Sequence, residues 1–144
     1  MTRDALADPA RVVIRRRIEW MDTDAAGIYH WTTVFRLAEA AEAELHGALG
    51  TLGTFGQMPR VAVSATFLAQ LRFNDPVEVE LAVESIGRTS MTYKIEIASE
   101  AGPAAQASIT VCLIDPQTRR SAPWPDDLRE RLSSSGLVSA PPDS

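Results

Sequence analysis

From Val61 to Leu113 the chain is written in four runs where apolar and polar residues alternate at period two. That period turns successive side chains to opposite faces, the signature of a half-buried strand. Val61, Val63, Ala65, Phe67, Ala69 and Leu71 make the first run, closed by Asn74-Asp75-Pro76. Val77, Val79, Leu81 and Val83 then alternate with Glu78, Glu80 and Glu84, and Gly87-Arg88-Thr89 turns the chain. Met91, Tyr93, Ile95 and Ile97 form the third run, closed by Gly102-Pro103. Ala107, Ile109, Val111 and Leu113 form the fourth, before Asp115-Pro116. Asn, Asp, Gly and Pro are the residues that tight turns accept. The pattern predicts an antiparallel meander of four strands.

Two elements precede the meander. Residues 12–20 read as a strand, with Val12, Ile14, Ile18 and Trp20 on one face and Arg15, Arg17 and Glu19 on the other. Arg16 reads as a snorkelling edge residue. A helix is predicted from Thr33 to His46, capped by Thr32 and Thr33 and stopped by Gly47. Val34, Leu37, Ala38, Ala41 and Leu45 make its apolar stripe, and the alanines suit close packing on a sheet. Residues 47–58 read as a flexible connector, a candidate lid. Their four glycines lack the Gly-Lys-Ser/Thr ending of a phosphate loop. The expected architecture is α+β, one long helix on the concave face of a five-stranded antiparallel sheet. Such a sheet leaves edges, and pairing an edge in a dimer is one way to manage it.

The 144 residues fit one domain, 1–144, with residues 1–10 and 134–144 as flexible ends and an amphipathic turn at Asp127 to Leu132. A hydrophobic content of 45% is ordinary for a globular chain. A net charge of −5 argues against a general nucleic-acid binder, which needs a basic face. No long apolar run predicts a membrane span, no signal-peptide pattern opens the chain, and Cys112 is the one cysteine. The cytoplasm is the expected location.

The chemistry-bearing stretch is Trp20-Met-Asp-Thr-Asp-Ala-Ala-Gly-Ile-Tyr-His-Trp31. It sets Asp22 and Asp24 and the hinge Gly27 just before a helix start. A helix N-terminus presents free N–H groups and the positive end of a dipole, so a developing oxyanion can be held there beside a carboxylate. Asp-Thr-Asp is also ordinary turn chemistry, and Asp22 is read as turn-stabilising. Two histidines at opposite ends of a helix make a poor metal site, and no Gly-x-Ser-x-Gly elbow is present.

Ile18-Glu19-Trp20-Met21-Asp22-Thr23-Asp24-Ala25-Ala26-Gly27-Ile28 resembles the motif of hot-dog-fold thioesterases of the 4-hydroxybenzoyl-CoA thioesterase type: aromatic, spacer, Asp-x-Asp-x-x-Gly-Ile/Val. A helix with Phe35-Arg36 and Glu39 follows, and the strand order agrees over roughly residues 12–120. The resemblance implies Asp24 as the catalytic carboxylate, attacking the thioester carbon or positioning water. It implies an oxyanion donor at about Trp31, with Gly27 allowing close approach. It matches Glu39 to an acidic position at the acyl end and Arg88 to a turn that meets CoA phosphates. Gly87-Arg88-Thr89 carries less positive charge than the family's turn, which keeps a carrier-protein thioester as an alternative. His30-Trp31-Thr32-Thr33 departs from the family's aromatic-Pro-Asn. His30 is then a second acid/base group or a packing residue, and Tyr29, Trp31 and Phe35 are candidates for an aryl pocket or core.

The expectation is a thioester hydrolase acting on an acyl- or aroyl-CoA, a homodimer or a tetramer built as a dimer of dimers. It needs no metal and no bound cofactor, since CoA arrives with the substrate. A hot-dog dehydratase and a non-catalytic acyl-CoA binding module are the other classes.

Overall fold

The computed structural model describes residues 6–139. Five strands, β1 (Arg11–Arg17), β2 (Arg60–Phe67), β3 (Pro76–Ile86), β4 (Ser90–Ser99) and β5 (Gly102–Cys112), form one sheet in the order β1-β3-β4-β5-β2, every neighbour antiparallel. Helix α1 spans Thr33–Leu49 and helix α2 spans Asp126–Ser134.

The alternation explains the sheet. Register sets Val12 opposite Leu81, Leu81 opposite Ile95, and Ile95 opposite Ala107, so one face is apolar across four strands. Val79, Leu81, Tyr93 and Ile95 are fully buried there. Each such side chain withdrawn from water stabilises the fold by about 2 kcal/mol. Glu78 and Glu80 point the other way, to Arg15 at 2.9 Å and Arg11 at 3.4 Å. These pairs are exposed and contribute at most about 1 kcal/mol each.

α1 packs against β1 and β3. Val34, Leu37, Ala38, Ala41 and Leu45, the expected stripe, are buried. Glu42 and His46 are buried with them.

Four expectations need correction. The helix does not stop at Gly47 but at Gly50, which takes the left-handed conformation (φ 73°) that closes a helix end at least cost for glycine. β1 ends at Arg17, and Trp20, expected on the inner face, is 80% exposed. Asp22 accepts the Glu19 N–H at 2.8 Å, which pulls residues 20–22 into a 3₁₀ turn and breaks the alternation. The four later strands are not one meander: β3, β4 and β5 are, while β2 lies beyond β5. The connection from β2 to β3 crosses the sheet end through Leu68 and Ala69, whose N–H groups both reach the Ala104 carbonyl. Finally, residues 51–58 are no open connector. A 3₁₀ turn, Leu52–Gln57, forms there, and Phe55 sets its ring edge-on against His46.

The ends are tied together. Ala10 N–H bonds the Leu132 carbonyl, Gly136 N–H bonds that of Asp8, and Val138 N–H bonds that of Arg11. Each of these bonds has a partner within the stretches expected as flexible ends, 1–10 and 134–144, the outermost residues of which lie outside the described residues. α2 buries Leu128 and Leu132, and Arg16 reaches Glu44 at 3.8 Å.

Candidate active site

After the 3₁₀ turn the chain folds back on itself. Thr23 bridges Tyr29, Asp24 N–H bonds the Ile28 carbonyl, and Gly27 N–H returns to the Asp24 carbonyl at 3.0 Å. Gly27 has φ +80°, a conformation a Cβ disfavours. Its N–H is thus bonded within the loop, and Gly27, expected to allow close approach beside the helix start, closes the turn that carries Asp24. The Asp24 side chain stands exposed at the tip. Its Oδ1 accepts the Ala26 N–H at 2.8 Å and the other oxygen is open.

Asp24 borders a cleft of about 410 Å³ whose walls are Ile28, Tyr29, Trp31 and the segment from Phe67 to Gln70. Tyr29 is held by its hydroxyl, which donates to the Ala69 and Ala104 carbonyls, and burial raises its pKa. The Trp31 ring is 60% exposed and meets Phe35 edge-on at 6.4 Å. Among the described residues, Trp31 N–H, just before α1, donates to no carbonyl or side chain.

The helix start is built differently from expectation. Neither threonine caps by its side chain in the usual way. Thr33 Oγ1 donates to the Asp22 carbonyl at 3.0 Å, and Thr32 binds His30 through both its hydroxyl and its N–H. His30 Nδ1 therefore accepts from Thr32, and His30 is not a wall of the Asp24 cleft. Phe35 is not in the cleft lining, but its ring meets that of Trp31, which is.

Glu39 and Arg88 do not join Asp24 within this chain. Glu39 is exposed on α1 and lines a second cavity, about 640 Å³, with Arg36, Glu42, Phe55 and Arg60. Arg88 is exposed in the β3–β4 turn, at the end of the sheet where Cys112 N–H meets the Pro59 carbonyl. The Asp24 loop is tied at the other end, near Ala104, some 26 Å away along β5 at ~3.3 Å per residue.

The sequence reading missed two clusters. Asp22 is 3% exposed and takes Arg36 Nε at 2.6 Å and Nη2 at 2.5 Å. Behind the second cavity, Glu42 pairs with Arg60 through two hydrogen bonds, and His46 links Thr51 to Tyr93 at 2.7 and 2.8 Å. Glu42 and His46 fall on the buried helical stripe, a spacing that carried the signal. Among the described residues no three His, Cys, Asp or Glu gather as a metal site, and no helix is long and apolar enough to cross a membrane.

Comparison with known proteins bears on the fold and the family. A 1,4-dihydroxy-2-naphthoyl-CoA hydrolase from Prochlorococcus marinus is 27% identical over 139 residues, 88% of this chain and 92% of that one. A solved structure described as a predicted thioesterase from Bacillus stearothermophilus superposes with a TM-score of 0.77 at 26% identity, over 85% of this chain and 93% of the other. A 4-hydroxybenzoyl-CoA thioesterase solved with 4-hydroxybenzoyl-CoA shares the fold at a TM-score of 0.71 and 20% identity, over 85% of this chain and 99% of the other. The hot-dog thioesterase fold, with its five-stranded antiparallel sheet, is the common frame. A family model spans residues 18–132, from the start of the Asp24 motif into α2, and the chain belongs to the thioesterase-like superfamily.

Proposed function

We propose that the protein hydrolyses an acyl- or aroyl-CoA thioester in the Asp24 cleft, in the manner of the 4-hydroxybenzoyl-CoA thioesterase type. The observation that carries this reading is the meeting of an open carboxylate oxygen, an uncommitted N–H and aromatic walls in one cleft. The Trp31 N–H, at the positive end of α1, donates to the thioester oxygen as it gains charge. Asp24 attacks the carbonyl carbon, or takes a proton from the water that does. The C–S bond then breaks and CoA leaves as its thiolate. By the first route an acyl-aspartyl anhydride forms and water cleaves it; by the second the acid forms directly. A thioester has a good leaving group, so this chemistry asks for no metal and no resident cofactor. His30, turned to Thr32, lends little to the dehydratase alternative.

The partner is a second copy of the chain. β2 is an unpaired edge bearing exposed Val61, Val63 and Phe67. Antiparallel pairing of two β2 strands about a twofold axis near Val63 and Ser64 sets Arg60 of one copy opposite Phe67 of the other. The Glu39 cavity of one copy then adjoins the Asp24 cleft of the other, and Arg88 lies at the end of the sheet that faces it. Glu39 meets the acyl end and Arg88 the CoA phosphates in this arrangement, with α1 as the central helix. Val63→Lys is expected to convert the dimer to monomer at micromolar concentration in analytical ultracentrifugation. A dimer unchanged by it would exclude this edge. The lone Cys112 is consistent with a reducing compartment, the cytoplasm.

The test is free-thiol release from benzoyl-, hydroxybenzoyl-, short-chain and long-chain acyl-CoA and from an acylated carrier protein. We expect an aroyl-CoA to be cleaved with kcat/KM of about 10⁴ M⁻¹s⁻¹ or more. Release from none of them would leave a binding module. Release from the carrier protein alone would replace CoA by phosphopantetheine.

A further inference from the structure

We infer that Asp22 and Arg36 form a positioning pair that locks the Asp24 loop to the start of α1, an inference that rests on the thioesterase reading. Asp24 has no hydrogen bond to the helix; its one side-chain partner is the Ala26 N–H of its own loop. Asp22, two residues earlier, makes the connection. Its carboxylate takes two Arg36 donors and the Glu19 N–H, so both oxygens of a nearly buried charge are hydrogen-bonded. Its carbonyl takes the His30 N–H at 2.5 Å and the Thr33 hydroxyl. One residue thus clamps the entry to the Asp24 loop, its exit and the first turns of α1. The far side of the loop is held separately, by Tyr29 N–H on the Leu71 carbonyl and Ile28 bridging Arg72.

The helix clamp matters because the carboxylate and the oxyanion donor sit on different sides of it. Asp24 belongs to the loop and Trp31 N–H to the helix entrance. A charge-assisted, two-pronged guanidinium–carboxylate contact fixes angle as well as distance. An error of about 1 Å in such an arrangement costs roughly 100-fold in rate. Arg36 also lies 4.0 Å from Glu19, which adds a second acceptor on the same turn.

Arg36→Lys keeps the charge and loses the fork. Asp22→Asn keeps the shape and loses the charge. Each is expected to lower kcat about 10- to 100-fold with a smaller effect on KM, since neither residue lines the Asp24 cleft and only Arg36 borders the Glu39 cavity. The double variant should be no slower than the worse single one, because both remove the same contact. Arg36 is partly open to solvent, so guanidinium ion added to Arg36→Ala should restore part of kcat. Hydrogen exchange at His30 N–H should quicken in the variants while the core of α1 keeps its protection. Wild-type kcat in Arg36→Lys, additive losses in the double variant, or unchanged exchange at His30 would each overturn the pair. Absence of thiol release by the wild-type protein would instead overturn the thioesterase reading, and the exchange measurement would still decide whether the pair holds the loop.

Discussion

Asp24→Asn is expected to lower thioester turnover by about 10³-fold or more, roughly 4 kcal/mol of lost transition-state stabilisation. Asparagine keeps the oxygen that accepts the Ala26 N–H, so the loop closes as before. What disappears is the charge that makes the second oxygen a nucleophile or base. Asp24 is exposed and touches no buried group, so the melting temperature should stay within about 2 °C of wild type. KM, or the Kd for an uncleaved thioester, should change little, because the walls from Tyr29 to Gln70 remain. This combination separates the classes. A binding module would hold its ligand with or without Asp24 and turn nothing over. A folded Asp24→Asn protein as active as wild type would remove Asp24 from the chemistry, whatever else the cleft does.

How much of this was legible depends on how local each signal is. The buried faces of β3 and β4 follow from residues two apart, and all five stripe residues of α1 from residues three or four apart. Strand order is not local. The run from Val61 reads the same whether β2 pairs with β3 or crosses to β5, and nothing in its pattern tells which. Its exposed valines suit a surface that one chain does not supply. The end of α1 turned on whether Gly47 or Gly50 adopts positive φ, and composition alone favours neither. At the site, Asp24 and Trp31 share a loop of eight residues, so proximity was readable. Phe67 to Gln70 arrive from the crossover and were invisible as cleft walls. Asp22 was read as turn chemistry; its pairing with Arg36 depends on how the loop meets the first turns of α1, which spacing alone does not give. Glu39 and Arg88, matched to substrate contacts, lie away from Asp24 in a single chain, because the sheet separates them.

Acidification from pH 7 toward pH 4 is expected to cost the fold about 3 kcal/mol through His46 alone. His46 is completely buried, between Thr51 and Tyr93 and against the Phe55 ring. Burial lowers its pKa to about 4; Glu42 opposes this and Arg60 adds to it. An unfolded histidine titrates near pH 6.5. Between those values the unfolded chain binds a proton that the folded one refuses, so stability is whole above about pH 6.5. It drains as pH falls, and this residue takes no more below about pH 4. Urea denaturation midpoints across that range measure the loss. His46→Gln should be less stable at pH 7, because one hydroxyl partner is lost, yet its stability should fall less steeply between pH 6.5 and 4. Equal slopes in the two proteins would show that other groups govern acid unfolding. The pH profile of kcat should be indifferent to the change, because His46 lies some 20 Å along α1 from Thr33 at ~1.5 Å per residue, remote from the Asp24 cleft of its own chain, and is itself fully buried.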